Sequence, residues 1–165
     1  MFQRFLLAID ETTAGEIGVS FATTLAHQQG ASVHVFHVNE FILGGRGLTY
    51  ETHDEASLVV DTAVDQLAVA GIEASGACAL ANCFTIAPRI ADAAADCGAD
   101  AILFGSHRHR RLTRFRGRGI RERVTRLTPL PVLTAPSPLK VDGRRHGPDA
   151  EMRRLAQLAD STSPF

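Results

Sequence analysis

The apolar positions of this chain switch repeatedly between strand and helix spacing. Phe5-Leu6-Leu7-Ala8-Ile9 is a short continuous apolar run, as a strand buried on both faces would be. Thr13 followed by Glu16 has the spacing of a capping box, and Ile17, Phe21 and Leu25 then mark one face of a helix ending near Gly30. Ser32 to Val38 is rich in β-branched and aromatic residues and predicts a second strand. Residues 39–51 hold Gly44, Gly45 and Gly47 and read as a loop. Thr52 and Glu55 repeat the capping box, and Val60, Val64 and Leu67 predict a helix closed by Gly71.

The second half repeats the alternation more weakly. Ile72 to Leu80 is an alanine-rich strand interrupted by Gly76. Thr85 is placed to cap a third helix, with Pro88 harmless in its first turn and Gly98 after its end. Ala101-Ile102-Leu103-Phe104 is a fourth buried strand, followed by a long polar loop from Gly105 to about Arg118. Ile120, Val124 and Leu127 predict a short helix stopped by Pro129 and Pro131. Val132 to Ala135 is a fifth strand whose flanking prolines suit a sheet edge. Strands alternating with crossover helices imply α/β architecture, a single domain built on a parallel doubly wound sheet. Residues 137–165 form a separate tail, with a short helix expected at 149–159.

Composition narrows the class. A chain of 165 residues with 45% hydrophobic and 21% charged residues can bury a core, which excludes disorder throughout. Three cysteines are too few for a disulfide scaffold. No apolar run approaches a membrane span, and MFQRFLLAID lacks a signal-peptide core, so a cytoplasmic protein is expected. The net charge of −1 hides an asymmetry: residues 105–126 carry nine arginines and one acid, Glu122, on an otherwise acidic chain.

In an open parallel sheet, ligands bind at the carboxyl ends of the strands, where the strand order reverses. Asp10, Val38-Asn39 and Gly105-Ser106 fall at such ends. A helix starting near Gly119 would aim free N–H groups and a positive dipole end at an anion, which suits a nucleotide phosphate.

The stretch from Ile102 to Pro136 resembles the C-terminal signature of the universal stress protein (UspA) domain. Gly105-Ser106, Glu122-Arg123-Val124 and Pro131-Val132-Leu133 match it without a gap. LLAIDET, with Asp10, resembles that family's first strand, and VHVFHV and Ala99 to Leu103 also fit. The resemblance implies a domain over 1–136, a Rossmann-like (adenine nucleotide alpha hydrolase-like) five-stranded sheet ordered 3-2-1-4-5 with helices on both faces, and a homodimer pairing through the last strand, 132–135. It also implies a stress-response regulatory or binding module rather than an enzyme, with no catalytic residue to nominate.

The family's ATP-binding branch uses G-x2-G-x9-G-[ST]. Carried over by position, the motif falls on Gly105, Arg108, Arg118 and Gly119, so only the first of its four positions is kept. Arg108 obstructs backbone approach to a phosphate, or else Arg108 and Arg118 grip phosphate directly. Two functions stay open. One is ATP or adenine-nucleotide binding through Asp10, Val38, Gly105, Ser106 and Gly119, with the two arginines in place of glycine. The other, toward which the broken motif tilts the reading, is a nucleotide-free dimer whose basic loop engages a regulatory protein partner or a polyanion. Nucleic acid is disfavoured, because the chain is not basic overall and only Phe115 lies among the arginines.

Other residues support blander readings. His107-Arg108-His109 is a poor cation site, because like charge repels a metal, so none is expected. His34 and His37 fall on opposite strand faces and do not converge. Cys78, Cys83 and Cys97 read as small buried apolar residues. Ser106 lacks the G-x-S-x-G surroundings of a hydrolase nucleophile.

Overall fold

The computed structural model describes residues 1–10, 13–41, 48–106 and 119–136. The glycine-rich stretch 44–47, the loop carrying Arg108 and Arg118, and the tail with the helix expected at 149–159 lie outside these residues. The element order is β1 (Arg4–Ile9), α1 (Thr13–Gln29), β2 (Ser32–Glu40), α2 (His53–Val69), β3 (Ala74–Ala81), α3 (Ile86–Asp96), β4 (Ala101–Phe104), α4 (Ile120–Leu127) and β5 (Val132–Thr134). All four strand pairings are parallel, and the sheet order is β3-β2-β1-β4-β5, as the alternation and the family resemblance imply.

Strand residues alternate between two cores. Phe5 and Leu7 of β1, Val33 and Val35 of β2, and Ala101 and Leu103 of β4 face α1 and α2. Leu6, Ala8, Phe36 and Ile102 face α3 and α4. Burial on both faces is why β1 and β4 read as unbroken apolar runs. The first three helices are each followed by a glycine at positive φ, namely Gly30, Gly71 and Gly98. A Cβ would meet nothing within 4 Å there, so it is the left-handed backbone that requires glycine.

Several local expectations are corrected. Thr13 is the first residue of α1 rather than the residue before it. The buried stripe of α1 is Gly15, Gly18, Val19, Ala22 and Ala26, and Ile17, Phe21 and Leu25 flank it only half-buried. The small stripe wins because α1 lies too close to the sheet for larger side chains. β2 runs on to Glu40, so Val38 and Asn39 lie within the strand rather than after it. An isolated antiparallel bridge, Phe41 to Thr49, spans part of what read as loop. Thr85 makes no cap bond to α3; its hydroxyl accepts from the Asn82 N–H, and Asn82 Oδ1 accepts from Phe84 and Thr85. The Thr52–Glu55 capping box is formed, with both reciprocal bonds present.

Candidate functional site

Strand order reverses between β1 and β4: β2 and β3 extend the sheet on one side of this pair, and β5 on the other. The carboxyl ends of β1 and β4 therefore flank the crevice where a doubly wound sheet takes its ligands. Asp10 follows β1 directly and is half-buried. Gly105 and Ser106 follow β4, with Ser106 buried and Gly105 half-buried. Val38, half-buried in β2, lies one residue beyond the Ile9–His37 pair and so level with Asp10. Gly119 caps α4 at the same end of the sheet, is exposed, and would meet nothing within 4 Å if it carried a Cβ. It offers no side-chain cap, so among the described residues no side chain takes the first N–H groups of α4.

Two glycines absent from the sequence reading shape the crevice. A Cβ on Gly15 would lie 2.3 Å from the Asp10 carbonyl oxygen. A Cβ on Gly18 would lie 3.3 Å from both Cα and N of Gly105. Helix α1 thus rests directly on backbone at both strand ends. The available signal was their cost: glycine in a helix interior is unfavourable by about 1 kcal/mol relative to alanine, so a pair three residues apart marks a close approach.

A buried polar cluster stands beside the end of β1. His37 is 2% exposed; its Nδ1 lies 3.1 Å from the Ile9 carbonyl oxygen and its Nε2 lies 2.8 Å from Glu51 Oε2. Asn39 Nδ2 donates to the carbonyls of Glu51 and Thr52 at 2.9 and 3.4 Å. Those two acceptors orient its amide and leave Oδ1 as the only buried side-chain polar atom without a partner among the described residues. His34 points to the opposite face, as strand alternation requires, and its Nδ1 lies 2.8 Å from Ser75 Oγ. Burial, and then the charge of Arg4, hold the His34 ring below the ordinary histidine range. No spacing of His37 and Glu51 foretells their contact, which depends on the path of the intervening chain.

The described part of the basic segment is engaged with its own fold. Arg121 Nη1 donates to Thr134 Oγ1 at 2.8 Å, tying α4 to β5. Arg123 donates to the carbonyls of Cys83 and Phe84, pinning the turn between β3 and α3. Arg126 pairs with Glu122 one turn away. The three cysteines are half-buried rather than buried, and burial pushes the Cys97 thiol up, away from the reactive thiolate. Among the described residues no three His, Cys, Asp or Glu side chains group as a metal site, and no helix is long and apolar enough to cross a membrane.

Comparisons with known proteins agree on the architecture. A universal stress protein family crystal structure from Burkholderia pseudomallei superposes with a TM-score of 0.64 at 22% identity, covering 82% of this chain and 96% of that one. A universal stress protein from Archaeoglobus fulgidus in complex with dAMP gives 0.60 at 22% identity, covering 81% and 98%. An Arabidopsis thaliana universal stress protein family member with AMP bound gives 0.57 at 10% identity, covering 89% and 98%. At these identities the likeness concerns the fold. No curated protein matches the chain by sequence. The universal stress protein family model, however, matches residues 1–136, most of the length, and the chain belongs to that family.

Proposed function

We propose that this chain is a non-catalytic regulatory module that binds an adenine nucleoside monophosphate in the crevice between β1 and β4. The observation that carries the reading is the convergence of Asp10, Gly105 and Ser106 at the strand-order reversal, with the uncapped start of α4 at Gly119 on the same edge. Val38, level with Asp10, supplies backbone for the base. Fold relatives solved with dAMP and AMP support the ligand class. The phosphate count follows from this chain. Two of the glycines that would let backbone cradle a longer phosphate chain are Arg108 and Arg118, so a single phosphate is the better match. The two guanidinium groups are suited to grip it.

The module acts as a homodimer. Strand β5 pairs only with β4 among the described residues, so its outer backbone groups are open to a second copy.

Calorimetric titration of AMP and of ATP, with and without magnesium, tests the reading on wild-type protein, Gly105→Val and Asp10→Asn. Micromolar AMP binding that both substitutions weaken, at least as tight as ATP and indifferent to magnesium, is expected. No binding up to millimolar AMP overturns it and returns attention to protein or polyanion partners of the basic loop. Steep loss of binding with salt identifies the polyanion case.

A further inference from the structure

The two outer strands of the sheet differ in how their free edges are protected. β5 is three residues long, with Pro131 directly before it and Pro136 two residues after it. β3 spans eight residues, carries no charged side chain and no proline, and keeps unbroken register with β2 from Ala74 to Ala81. Short length, charge, proline and bulges are the means by which an edge strand is kept from pairing with a foreign chain. β3 uses none of them.

The ladder fixes which groups are free. The Val33 N–H donates to the Glu73 carbonyl, and the Phe41 N–H to the Ala81 carbonyl, each at 2.9 Å. In a parallel ladder, alternate residues turn both backbone groups to the same neighbour. Ser75, Ala77 and Ala79 therefore bond to β2, while Ala74, Gly76, Cys78 and Leu80 turn N–H and C=O outward. Among the described residues β3 pairs with β2 alone. Ser75, Gly76, Ala77 and Leu80 are exposed, and every side chain of the strand but Leu80 is small, which leaves a guest backbone room. We propose that the outer edge of β3 docks an extended segment of another protein, bearing lysine or arginine at alternate positions, as a sixth strand of the sheet.

Charge selects the guest. Residues 51–88 hold six carboxylates and no lysine or arginine. Helix α2 packs on β3: Ser57 Oγ lies 3.9 Å from Cys78 Sγ, and a Cβ on Gly76 would meet Val60 and Val64. Asp54, Asp61 and Asp65, spaced i, i+7 and i+11, are exposed on the flank of α2 that carries Ser57. Glu73, also exposed, precedes the strand. A second copy pairing here would bring two such rims together, and like charges oppose it. A basic guest places its charged residues on the α2 side, and its intervening side chains lie over Ser75 and Ala77 on the opposite face. Main-chain bonds supply the affinity, and the aspartates select the sign of the guest. The edge is remote from the nucleotide reading above and does not depend on it.

The test is amide exchange in the full chain with three capped peptides, each as long as β3. One alternates lysine and valine, one alternates glutamate and valine, and one is the lysine peptide N-methylated at alternate residues. In the free chain, the Gly76, Cys78 and Leu80 amides should exchange fast, and those of Ala77 and Ala79 slowly. The lysine peptide should slow the first three about tenfold, and the other two peptides should not. Cys78→Pro removes only an outward N–H, which an edge strand tolerates, and should abolish the effect. Should that variant fail to fold, the N-methylated peptide makes the same test on the wild type. Asp54→Lys with Asp61→Lys should reverse the preference toward the glutamate peptide. Slow exchange of the outward amides in the free chain means that this chain or a second copy already covers the edge, and overturns the proposal. So does a lysine peptide that gives no protection, or protection shared equally by the glutamate or the N-methylated peptide.

Discussion

Gly18 of α1 sits against Gly105 of the candidate site, where a methyl group would approach both the nitrogen and the α-carbon of Gly105 to 3.3 Å. Helix and strand end are in backbone contact, so the position of one sets the position of the other. Gly18→Ala combines opposing effects. The helix gains about 1 kcal/mol in propensity, while the close approach pushes on the crevice. Stability should change by less than about 1 kcal/mol, and AMP affinity should fall about tenfold, or ~1.4 kcal/mol. Chemical denaturation beside calorimetry checks this; equal loss in both would mean that Gly18 serves folding alone.

Gly15 is less forgiving, because its Cβ would lie 2.3 Å from the Asp10 carbonyl oxygen, an atom of the main chain. Gly15→Ala should cost about 2 kcal/mol, a drop in Tm of about 4–8 °C for a chain of this size. A Cβ on Gly76 would lie the same 2.3 Å from Val60 Cγ1, but that atom belongs to a side chain. Gly76→Ala should therefore be partly rescued by Val60→Ala, with a favourable coupling of about 1 kcal/mol in a double-mutant cycle. Gly15→Ala should gain nothing from Val60→Ala.

Asp100 and His34 both make stability fall on acidification, in separate windows. The Asp100 carboxylate accepts the N–H groups of Gln3 and Arg4, which holds it below the usual carboxylate range. Its contribution is complete above the unfolded value, about 3.9, and is lost as pH falls through the folded value. His34 is lowered too, so the fold prefers its neutral ring. Below about pH 6.5 the unfolded chain takes up that proton first and stability declines. Urea unfolding from pH 8 to 3 should show both slopes. His34→Gln should flatten the first and Asp100→Asn the second.

Thr52 both caps α2 and donates from its hydroxyl to Glu55. Thr52→Ala should cost about 1 kcal/mol. It should also raise the titration of Glu55, which the backbone N–H and then the hydroxyl of Thr52 hold low. Carboxyl NMR shifts report the second effect directly.

What the sequence discloses divides by range. The buried strands β1 and β4 and the capping box at Thr52 depend on residues a few positions apart, and they were legible. Parallel pairing followed from the crossover pattern, and strand order from the family resemblance alone. The face of α1 was misread because its largest apolar residues are not its innermost ones. The separation of α1 from the sheet decided that, and only packed backbone reveals it. The Thr85 cap failed because the third helical residue, Pro88, has no N–H to donate, and the Thr85 hydroxyl accepts from the Asn82 N–H instead. At the site, Asp10, Gly105, Ser106 and Gly119 were legible as strand and helix ends. Gly15 and Gly18 acquire meaning only once α1 is seated, and His37 once Glu51 returns to it.

The crevice is also a seam in time. Its two walls, β1 and β4, are joined at the far end by Asp100 accepting from Arg4 across 96 residues of chain. The strands β1 to β3 with α1 and α2 can assemble from the first half alone, covering one face of the sheet. The second wall arrives only with β4, and the other face is covered by α3 and α4. Long-range parallel pairing is the slow step in folding. A chain emerging from synthesis therefore completes its candidate ligand site last, when its two halves close upon each other.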